Sequence, residues 1–395
     1  MMLPDGWRTT TVGQSCSIRN KLRFPLSAEN RAGMQGQYPY FGPTGQLDSI
    51  DHYRIDEPFA LIGEDGDHFL KFRDRPMTIY FEGKANVNNH AHIIGDSEEC
   101  LAKWLYYCFM HRDLTPMLSR QGVGRYKLTK AGLEKLEFPL PPKPEQAAIV
   151  RALSTWDQAI ATSEGLLVNA QLQMDGLLQQ LLIKPTVRGD WNTRPISEIS
   201  ERIQRRANED QELPILMISS GSGFVRQDEK YSRFMAGKSV ENYIALDQGE
   251  FAYNKGNSKS YEFGCVFSLN TYERGLVPNV YVCFKLSPEL NAVFYEHLFR
   301  ADFLHDQLGA LVNTGVRNNG LLNIKPVDFL ACQVPVPPLD VQNRIAEVLT
   351  TAAKRVALQE RDLELLKQEK TALMSQLLTG KRRVKLLDTE AEVQA

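Results

Sequence analysis

The feature that most constrains this chain is an internal repeat. The proline-rich segment Pro139–Pro142 recurs as Pro335–Pro338, at an offset of 196 residues. The same offset pairs Gln146 with Gln342 without a gap. A repeat of this length shows that one supersecondary unit is used twice. The chain is therefore organised as a globular segment, a proline turn and a helix, followed by the same three parts again.

Both proline turns lead into heptad patterns, in which apolar residues return at alternating steps of four and three. This is the a/d pattern of a coiled coil. Each helix has one narrow apolar seam, and the only comparable seam in the chain belongs to the other helix, so we predict an antiparallel coiled coil. The predicted helix-pair interface consists of Ile149, Leu153, Trp156, Ile160, Ser163, Leu167, Met174, Leu177 and Leu181, with Ile345, Leu349, Val356, Gln359, Leu363, Leu366, Leu373 and Leu377.

The ends of the two helices also carry signals. Proline is tolerated in a first helical turn and restricts the residue before it, so each helix is predicted to begin after its proline turn. Pro185 is predicted to stop the first helix and Gly380 to cap the second. About 38 residues at 1.5 Å each give a length of roughly 57 Å. Antiparallel pairing would bring Ser163 and Gln359 together near a pseudo-twofold axis, where they either fix the register or are merely tolerated.

The helices divide the chain into predicted regions. Both globular segments alternate short strand-like runs with turn residues and are predicted to be α/β (α+β) domains. The first has a strand at Met77–Phe81 and a helix near Glu98–His111, and the second ends with a helix near Pro288–Ala310. The predicted boundaries are 1–138 for the first domain, 139–185 for the first turn and helix, 186–334 for the second domain, 335–384 for the second turn and helix, and 385–395 for a disordered tail.

Composition excludes several protein classes. The net charge is −2, so no overall basic surface announces nucleic-acid binding, and any DNA contact must use local charge or a partner's charge. No apolar run is long enough to span a membrane, and the N-terminus lacks a signal-peptide pattern. The six cysteines form no C-x-x-C pair. Reduced thiols and a cytoplasmic protein are expected.

Enzyme-like patterns are weak. Asp74, Glu82 and Lys84 resemble the acids and lysine of a magnesium-dependent nuclease, but such strings are frequent by chance. His90 and His92 could hold a metal only with a third ligand, so a polar loop is favoured. Ser220–Gly223 lacks the third glycine of a dinucleotide-binding loop and is interpreted as a turn. No catalytic residue and no metal ligand is predicted.

Loops suited to reading DNA bases are better represented. They combine amides, which can bridge adenine, with Arg and Lys, which favour guanine, beside aromatic and glycine residues. Any one of them can also be an ordinary solvated turn. The candidate DNA-binding residues are Tyr40, Thr44, Lys84, Asn86, Asn89, His90 and Arg125 in the first segment, and Tyr253, Asn254, Lys255, Asn257, Lys259, Arg317 and Asn318 in the second.

The duplicated turn and heptad helix, each after a distinct globular segment, resemble the specificity subunit of type I restriction–modification enzymes. So do Gly63–Gly66 followed by Val87–His92, and Tyr253–Lys255 followed by Gly264. The resemblance covers residues 3–384. Two positions depart from the family pattern: Val341 replaces the glutamate seen at Glu145, and Pro278 stands where related domains often have serine.

This resemblance implies a DNA-binding subunit without catalysis of its own. Its two target-recognition domains would each bind one half of a split, asymmetric site on double-stranded DNA. The helices would set the spacer between the halves and dock two adenine methyltransferase subunits, which restriction/motor subunits would join. S-adenosylmethionine, ATP and Mg²⁺ would belong to those partners and not to this chain. Three alternatives remain: a recognition module of another methylation or defence assembly, a nuclease in its own right, and a purely structural coiled coil.

Overall fold

The computed structural model describes residues 3–120, 126–206, 213–230, 241–256, 258–312 and 322–385. The chain divides into two compact units. The first comprises Met1–Glu164 with Asp362–Ala395, and the second comprises Gly165–Arg361. Each unit thus contains one globular domain together with parts of both long helices. Within the described ranges, no helix is long and apolar enough to cross a membrane.

The elements of the first half alternate short strands and short helices before one long helix. Their bounds are β1 Arg8–Thr11, α1 Val12–Ser15, β2 Ser17–Ile18, α2 Ala28–Ala32, β3 Gln35–Phe41, β4 Gln46–Ile50, β5 Ile55–Asp56, β6 Phe59–Gly63, β7 Thr78–Phe81, β8 Lys84–Val87, β9 Ala91–Gly95, α3 Ala102–Phe109, β10 Ser119–Arg120, β11 Tyr126–Lys127, α4 Lys130–Glu134, β12 Glu137–Leu140 and α5 Lys143–Leu178, with 3₁₀ turns at Asn20–Leu22, His68–Lys71 and Thr115–Met117.

The second half follows the same plan. After a π-helical turn at Gln179–Ile183 come α6 Lys184–Val187, β13 Thr193–Pro195, α7 Ile196–Ile199, β14 Ser200–Ile203, β15 Leu216–Ser219, β16 Gly223–Arg226, α8 Gln227–Lys230, β17 Ile244–Asp247, β18 Phe251–Asn254, β19 Cys265–Ser268, β20 Arg274–Val277, β21 Val282–Leu286, α9 Ala292–Arg300, α10 His305–Leu311, α11 Pro326–Leu330, β22 Gln333–Pro335 and α12 Leu339–Leu377.

The two domains share the order of their main sheet. In the first domain the order is β2-β9-β6-β7, and in the second it is β14-β21-β18-β19, with antiparallel pairing throughout both. A second pair of short strands is also repeated, because β1 pairs with β12 and β13 pairs with β22. The predicted α/β (α+β) class and the internal repeat are thus present in the backbone. The remaining sheets differ between the domains.

Each core lies between the main sheet and the helix that follows it. Trp104 and Phe109 of α3 are buried in the first core, and Phe294 and Leu298 of α9 are buried in the second. Both cores continue into the first turns of a long helix, through Ile149 and Leu153 in one unit and Ile345 and Leu349 in the other. Fully burying an apolar side chain of this size contributes about 1.5–3 kcal/mol. Each domain is therefore joined to its helix by a shared core.

A buried glutamine ties each long helix to its domain. The Gln146 amide donates to Glu99 O (2.7 Å) and Pro141 O (2.9 Å), and its carbonyl accepts from Leu101 N (2.9 Å) at the start of α3. Gln342 donates to Pro337 O (2.8 Å) and accepts from Asn291 N (2.9 Å) at the start of α9. These bonds satisfy backbone groups that have no partner within a helix or strand. These hydrogen bonds explain structurally why both copies of the repeat have glutamine at this position.

The helices run antiparallel inside each unit. In the first unit Asp157 pairs with Lys370, and Glu164 pairs with Lys367 at 2.8 Å. Arg355 donates to Gln173 at 3.2 Å in the second. Every predicted seam residue is buried or half-buried, whereas Leu172 and Leu358 lie off the seam and are exposed. Because Ser163 belongs to the first unit and Gln359 to the second, their predicted meeting stays a prediction, as does the length of the helix pair.

Two predicted helix boundaries are wrong. Pro185 does not end the helical run, which continues through the π-helical turn Gln179–Ile183 into α6 and ends only after Val187. The helix predicted at Pro288–Ala310 is two helices, because Asp302 between them adopts a left-handed φ of 53°. The prediction for Gly380 is confirmed: its φ is 72°, and a Cβ there would lie 2.4 Å from Pro4. The predicted tail beyond residue 385 lies outside the described residues.

Candidate nucleic-acid interface

Three turns of the first domain meet at one end of its sheets. Residues Glu64 and Asp65 follow β6, the turn Asn88–His90 joins β8 to β9, and the turn containing Thr44 follows β3. Glu64 N donates to His90 O (2.7 Å), and Asn88 N donates to Phe41 O (2.9 Å). These backbone bonds hold the turns together, so the two sequence motifs of the predicted site form one surface.

Charged side chains cross-link this surface. Arg23 lies 2.7 Å from a carboxylate oxygen of Glu64, and Lys127 lies 3.1 Å from the other. Lys127 also approaches Asp65 at 3.6 Å, and His90 Nδ1 lies 2.9 Å from the same carboxylate group. The hydrogen bond to Glu64 raises the pKa of Lys127, which keeps this lysine charged. Two acids and two cations balance here.

His92 is buried next to this network and hydrogen-bonds to one of its members, Arg23. Its Nε2 donates to Leu128 O (2.8 Å), so Nδ1 is left to accept from Arg23 (2.9 Å) and Asn20 (3.0 Å). Burial, with a smaller effect of the Arg23 charge, lowers the pKa of this imidazole. His92 is therefore neutral and orients Arg23, which in turn contacts Glu64.

The six described candidate residues of the first domain fall into three groups. Thr44, Asn89 and His90 are exposed at the end just described. Lys84 is exposed at the other end of β8, with its ammonium 4.6 Å from the Tyr53 ring centroid. Tyr40 and Asn86 are 0% exposed.

The two buried side chains have partners inside the domain. The Tyr40 hydroxyl donates to Phe24 O (2.6 Å), and Asn86 donates to His52 O (2.7 Å). Because neither side chain reaches the surface, each holds a loop in place and presents nothing to a base.

In the second domain the described candidate residues lie at the end of β18 and in the segment that follows it. Tyr253 is 0% exposed, stacks on Phe329 with ring centroids 4.3 Å apart, and donates to Phe263 O (2.7 Å). Asn254 accepts from Gly256 N (3.0 Å) and so closes the turn. Gly264 has a φ of 87°, and a Cβ there would lie 2.4 Å from Asn254 O. Tyr253, Asn254 and Gly264 therefore shape the loop.

Lys255 lies within this turn and is half-buried, whereas Lys259 lies beyond it and is exposed. Four candidates, Arg125, Asn257, Arg317 and Asn318, lie outside the described residues. Sequence reasoning missed Arg23 and Lys127, because each comes from a segment distant in sequence from the motifs and carries no pattern of its own.

Glu82 and Lys84, from the nuclease-like pattern, have separate partners. Glu82 accepts from the Tyr80 hydroxyl (3.2 Å), and Lys84 faces Tyr53. His90 is exposed while His92 is buried. In the part of the chain that the structure describes, no group of three or more His, Cys, Asp or Glu side chains is arranged to hold a metal ion.

Comparison with known proteins agrees with this organisation. Residues 4–171 match the family model of the type I restriction modification DNA specificity domain. The chain is 32% identical over 142 residues to the putative type I restriction enzyme specificity subunit S.HindORF215P of Haemophilus influenzae, covering 36% of this chain and 35% of that protein. The match to this relative therefore spans about a third of its length.

Two further comparisons cover nearly the whole chain. The type I restriction enzyme MjaVIII specificity subunit of Methanocaldococcus jannaschii is 22% identical over 440 aligned residues, covering 98% of this chain and 96% of that protein. The crystal structure of a type I restriction-modification system S subunit from M. genitalium has the same fold, with a TM-score of 0.63 at 13% identity, covering 96% and 98% of the two chains. Residues 4–171 are therefore similar to the type I restriction modification DNA specificity domain, and the chain as a whole has the fold of the S subunit from M. genitalium.

Proposed function

We propose that this chain is the sequence-specific DNA-binding subunit of a type I restriction–modification complex and that each of its domains binds one half of a bipartite, asymmetric site. One observation supports this most strongly. The main sheets of the two domains share a strand order, whereas the turns at the end of β6 and β18 carry different chemistry. Equivalent scaffolds with unlike turns suit two unlike half-sites.

The residues proposed to contact DNA are the accessible members of the predicted set. In the first domain they are Thr44, Asn89 and His90, with Lys84 at the other end of β8. In the second they are Lys255 and Lys259, and the candidates outside the described residues remain in the proposal. Tyr40, Asn86, Tyr253 and Asn254 are proposed to hold the reading loops in shape, since their polar groups bond within the domain.

The proposed partners are two adenine methyltransferase subunits and the restriction/motor subunits. S-adenosylmethionine, ATP and Mg²⁺ are assigned to those partners, in a cytoplasmic complex. The long helices are proposed to set the unread spacer, because each domain shares a core with the first turns of one helix. A partner that supplies positive charge would also account for DNA binding by a chain of net charge −2.

The test is modification mapping by single-molecule sequencing of DNA from cells that co-express this chain and its methyltransferase subunit. We expect methyladenine in one split, asymmetric motif, which is lost when this chain is omitted. Inserting one heptad into both helices should lengthen the spacer and leave both half-sites unchanged. No new methylation in an assembled complex supplied with cofactor would contradict the proposal, and an unchanged spacer would contradict the role of the helices.

A further inference from the structure

The exposed histidine on the charged surface of the first domain is oriented through its Nδ1. His90 Nδ1 lies 2.9 Å from Asp65 Oδ2, and 53% of the His90 side chain is exposed. The backbone of the same residue is held on both sides, because its N–H donates to Asn88 Oδ1 (2.8 Å) and its carbonyl accepts from Glu64 N (2.7 Å). The imidazole therefore sits on a fixed turn, and Nε2 is the ring nitrogen that Asp65 leaves open to a ligand.

Asp65 determines which nitrogen of this imidazole carries the proton. A carboxylate has no hydrogen to donate, so Nδ1 is the donor in the contact between His90 and Asp65. In the neutral ring, a proton on Nδ1 leaves Nε2 with a lone pair and no hydrogen. The buried His92 has the opposite arrangement, because its Nε2 donates to Leu128 O (2.8 Å). The open nitrogen of His90 is therefore a hydrogen-bond acceptor.

Lys127 in turn fixes Asp65. The Lys127 ammonium lies 3.6 Å from Asp65 Oδ1, whereas His90 faces the other oxygen, Oδ2. The backbones of Asp65 and Lys127 also form an antiparallel β-bridge. The two carboxylate oxygens therefore have separate partners, one ammonium and one imidazole, and an ammonium can only donate to the atom that faces it.

An acceptor on this surface can distinguish base edges. In the major groove adenine and cytosine offer an exocyclic amino group, whereas thymine and guanine present an acceptor oxygen at the corresponding position. The other exposed candidates at this end, Thr44 and Asn89, carry a hydroxyl and an amide, each of which can both donate and accept. His90 in this tautomer can only accept, so it is the side chain of the three that imposes a direction on the hydrogen bond.

We propose that His90 is a specificity-determining residue of the first domain, whose Nε2 accepts a hydrogen bond from the exocyclic amino group of an adenine or a cytosine in the major groove. This inference rests on the proposed function and deepens it, because it names the base edge that this residue reads. Asp65 and Lys127 are positioning residues, since they act through the tautomer of His90. The corresponding turn of the second domain, 278–281 before β21, carries an exposed Val280, which has no polar atom to offer.

The experiment measures the affinity of the assembled methyltransferase complex for duplexes that carry base analogues. In one series each adenine or cytosine of the half-sites, apart from the methylated adenines, is replaced in turn by the analogue without its exocyclic amino group. In the other series each purine is replaced by its 7-deaza analogue, which lacks the N7 acceptor. Wild type should bind one amino-deleted duplex about five- to tenfold more weakly than its parent. His90→Ala should bind that duplex and its parent equally, because the contact is already absent.

Asp65→Asn provides the sharpest contrast. Its carbonyl oxygen should stay against the Lys127 ammonium, so its amide nitrogen replaces Oδ2 and donates to His90 Nδ1. The imidazole proton then moves to Nε2, and the preference at that base position should invert from adenine or cytosine to guanine or thymine. Asp67→Asn is the matched control, since it removes the same charge from an exposed side chain of the same turn, and it should keep the wild-type preference.

The acceptor role is overturned if His90→Ala removes a loss caused by a 7-deaza purine and none caused by deletion of an amino group. An Asp65→Asn variant that keeps the wild-type preference would overturn the control of the tautomer by Asp65. The analogue series needs only wild type and His90→Ala, so the test stays valid if Asp65→Asn does not assemble. If wild type shows no preference for any sequence, the proposed function itself fails, whereas a selective complex whose preferences His90→Ala leaves unchanged contradicts only this inference.

Discussion

The two domains enter their long helices in the same way but secure that entry with different chemistry. In the first unit, Glu145 is buried and accepts from the Trp7 indole (3.0 Å) and from Arg383 (2.9 and 2.7 Å). The second unit has Val341 at this position, in an apolar cluster with Trp191. The C-terminal segment therefore packs on the N-terminal domain through an ion pair that has no counterpart at Val341.

One further hydrogen bond occurs in both units, but a different residue type donates it in each. Trp104 Nε1 donates to Pro139 O (3.1 Å), and the Tyr295 hydroxyl donates to Pro335 O (3.1 Å). The comparison teaches which features a duplicated fold must keep. The backbone carbonyl of Pro139 or Pro335 needs a hydrogen-bond donor, and an indole and a phenol supply it equally well. Gln146 and Gln342 each donate to the backbone through one amide atom and accept from it through another, and neither an indole nor a phenol has two such atoms.

The largest effect is expected from the repeated glutamines. Gln146→Leu leaves one backbone N–H and two backbone carbonyls without their partner, and it should lower the free energy of unfolding by about 3 kcal/mol. Gln342→Leu removes two hydrogen bonds and should lower the free energy of unfolding by about 2 kcal/mol. Denaturant unfolding measures both losses, and hydrogen exchange locates them at the start of α3 or α9. Loss of protection in both domains from either variant would show that the two anchors are not independent.

The second-largest effect is expected where the two helix entries differ, at Glu145 in the first unit and Val341 in the second. Glu145→Ala leaves the Trp7 indole and the Arg383 guanidinium without their acceptor, and we expect a loss of about 2 kcal/mol, since Arg383 remains half-exposed and can be hydrated. Val341→Ala removes only half-buried apolar surface and should cost about 1 kcal/mol or less. Thermal unfolding compares them, with Arg383→Gln as the matched control. Equal losses would mean that the ion pair adds nothing beyond packing.

A pH-dependent effect follows from His92. Because burial lowers its pKa in the folded chain, the unfolded chain binds the proton more readily, and the free energy of unfolding should fall as pH decreases below about 6.5. Protonated Nδ1 would face the donors of Arg23 and Asn20. His92→Gln should weaken this dependence in the first unit, where buried His68, whose pKa burial also lowers, still contributes, and hydrogen exchange at several pH values can measure the change. In the same variant, the pH dependence should persist around His297 of the second unit, whose pKa burial also lowers. If the His92→Gln variant also lost the pH dependence around His297, the assignment of the first unit's pH dependence to His92 would be contradicted.

The smallest effect is expected at exposed contacts of the helices. Glu164 and Lys367 are each about half exposed, and Lys367→Ala should change the free energy of unfolding by less than about 0.5 kcal/mol. Arg355→Ala in the second unit should behave alike, because its contact with Gln173 is also exposed. Leu363→Ala, on the buried seam, is the contrasting variant and should cost about 2 kcal/mol or more. A large loss for Lys367→Ala would show that charge, and not the seam, holds the helices.

Periodicity determined much of this protein directly from the sequence. The 196-residue offset and the heptad pattern identified the repeat and the long helices, because both patterns depend on local backbone geometry that a chain carries with it. The strand Thr78–Phe81 was also found, since the predicted segment Met77–Phe81 is a short apolar run between turns. The boundaries at Pro185 and Asp302 were missed, because proline and aspartate each allow more than one backbone outcome.

Only the tertiary structure decided which of the candidate side chains are accessible at the surface. Tyr40, Asn86 and Tyr253 look like surface readers in sequence, yet packing buries them, while Arg23 and Lys127 reach Glu64 from distant segments. Whether a polar side chain reads a base or satisfies its own loop depends on its burial and its bonding partners. Those are set by contacts between residues far apart in the chain, and no local pattern records them.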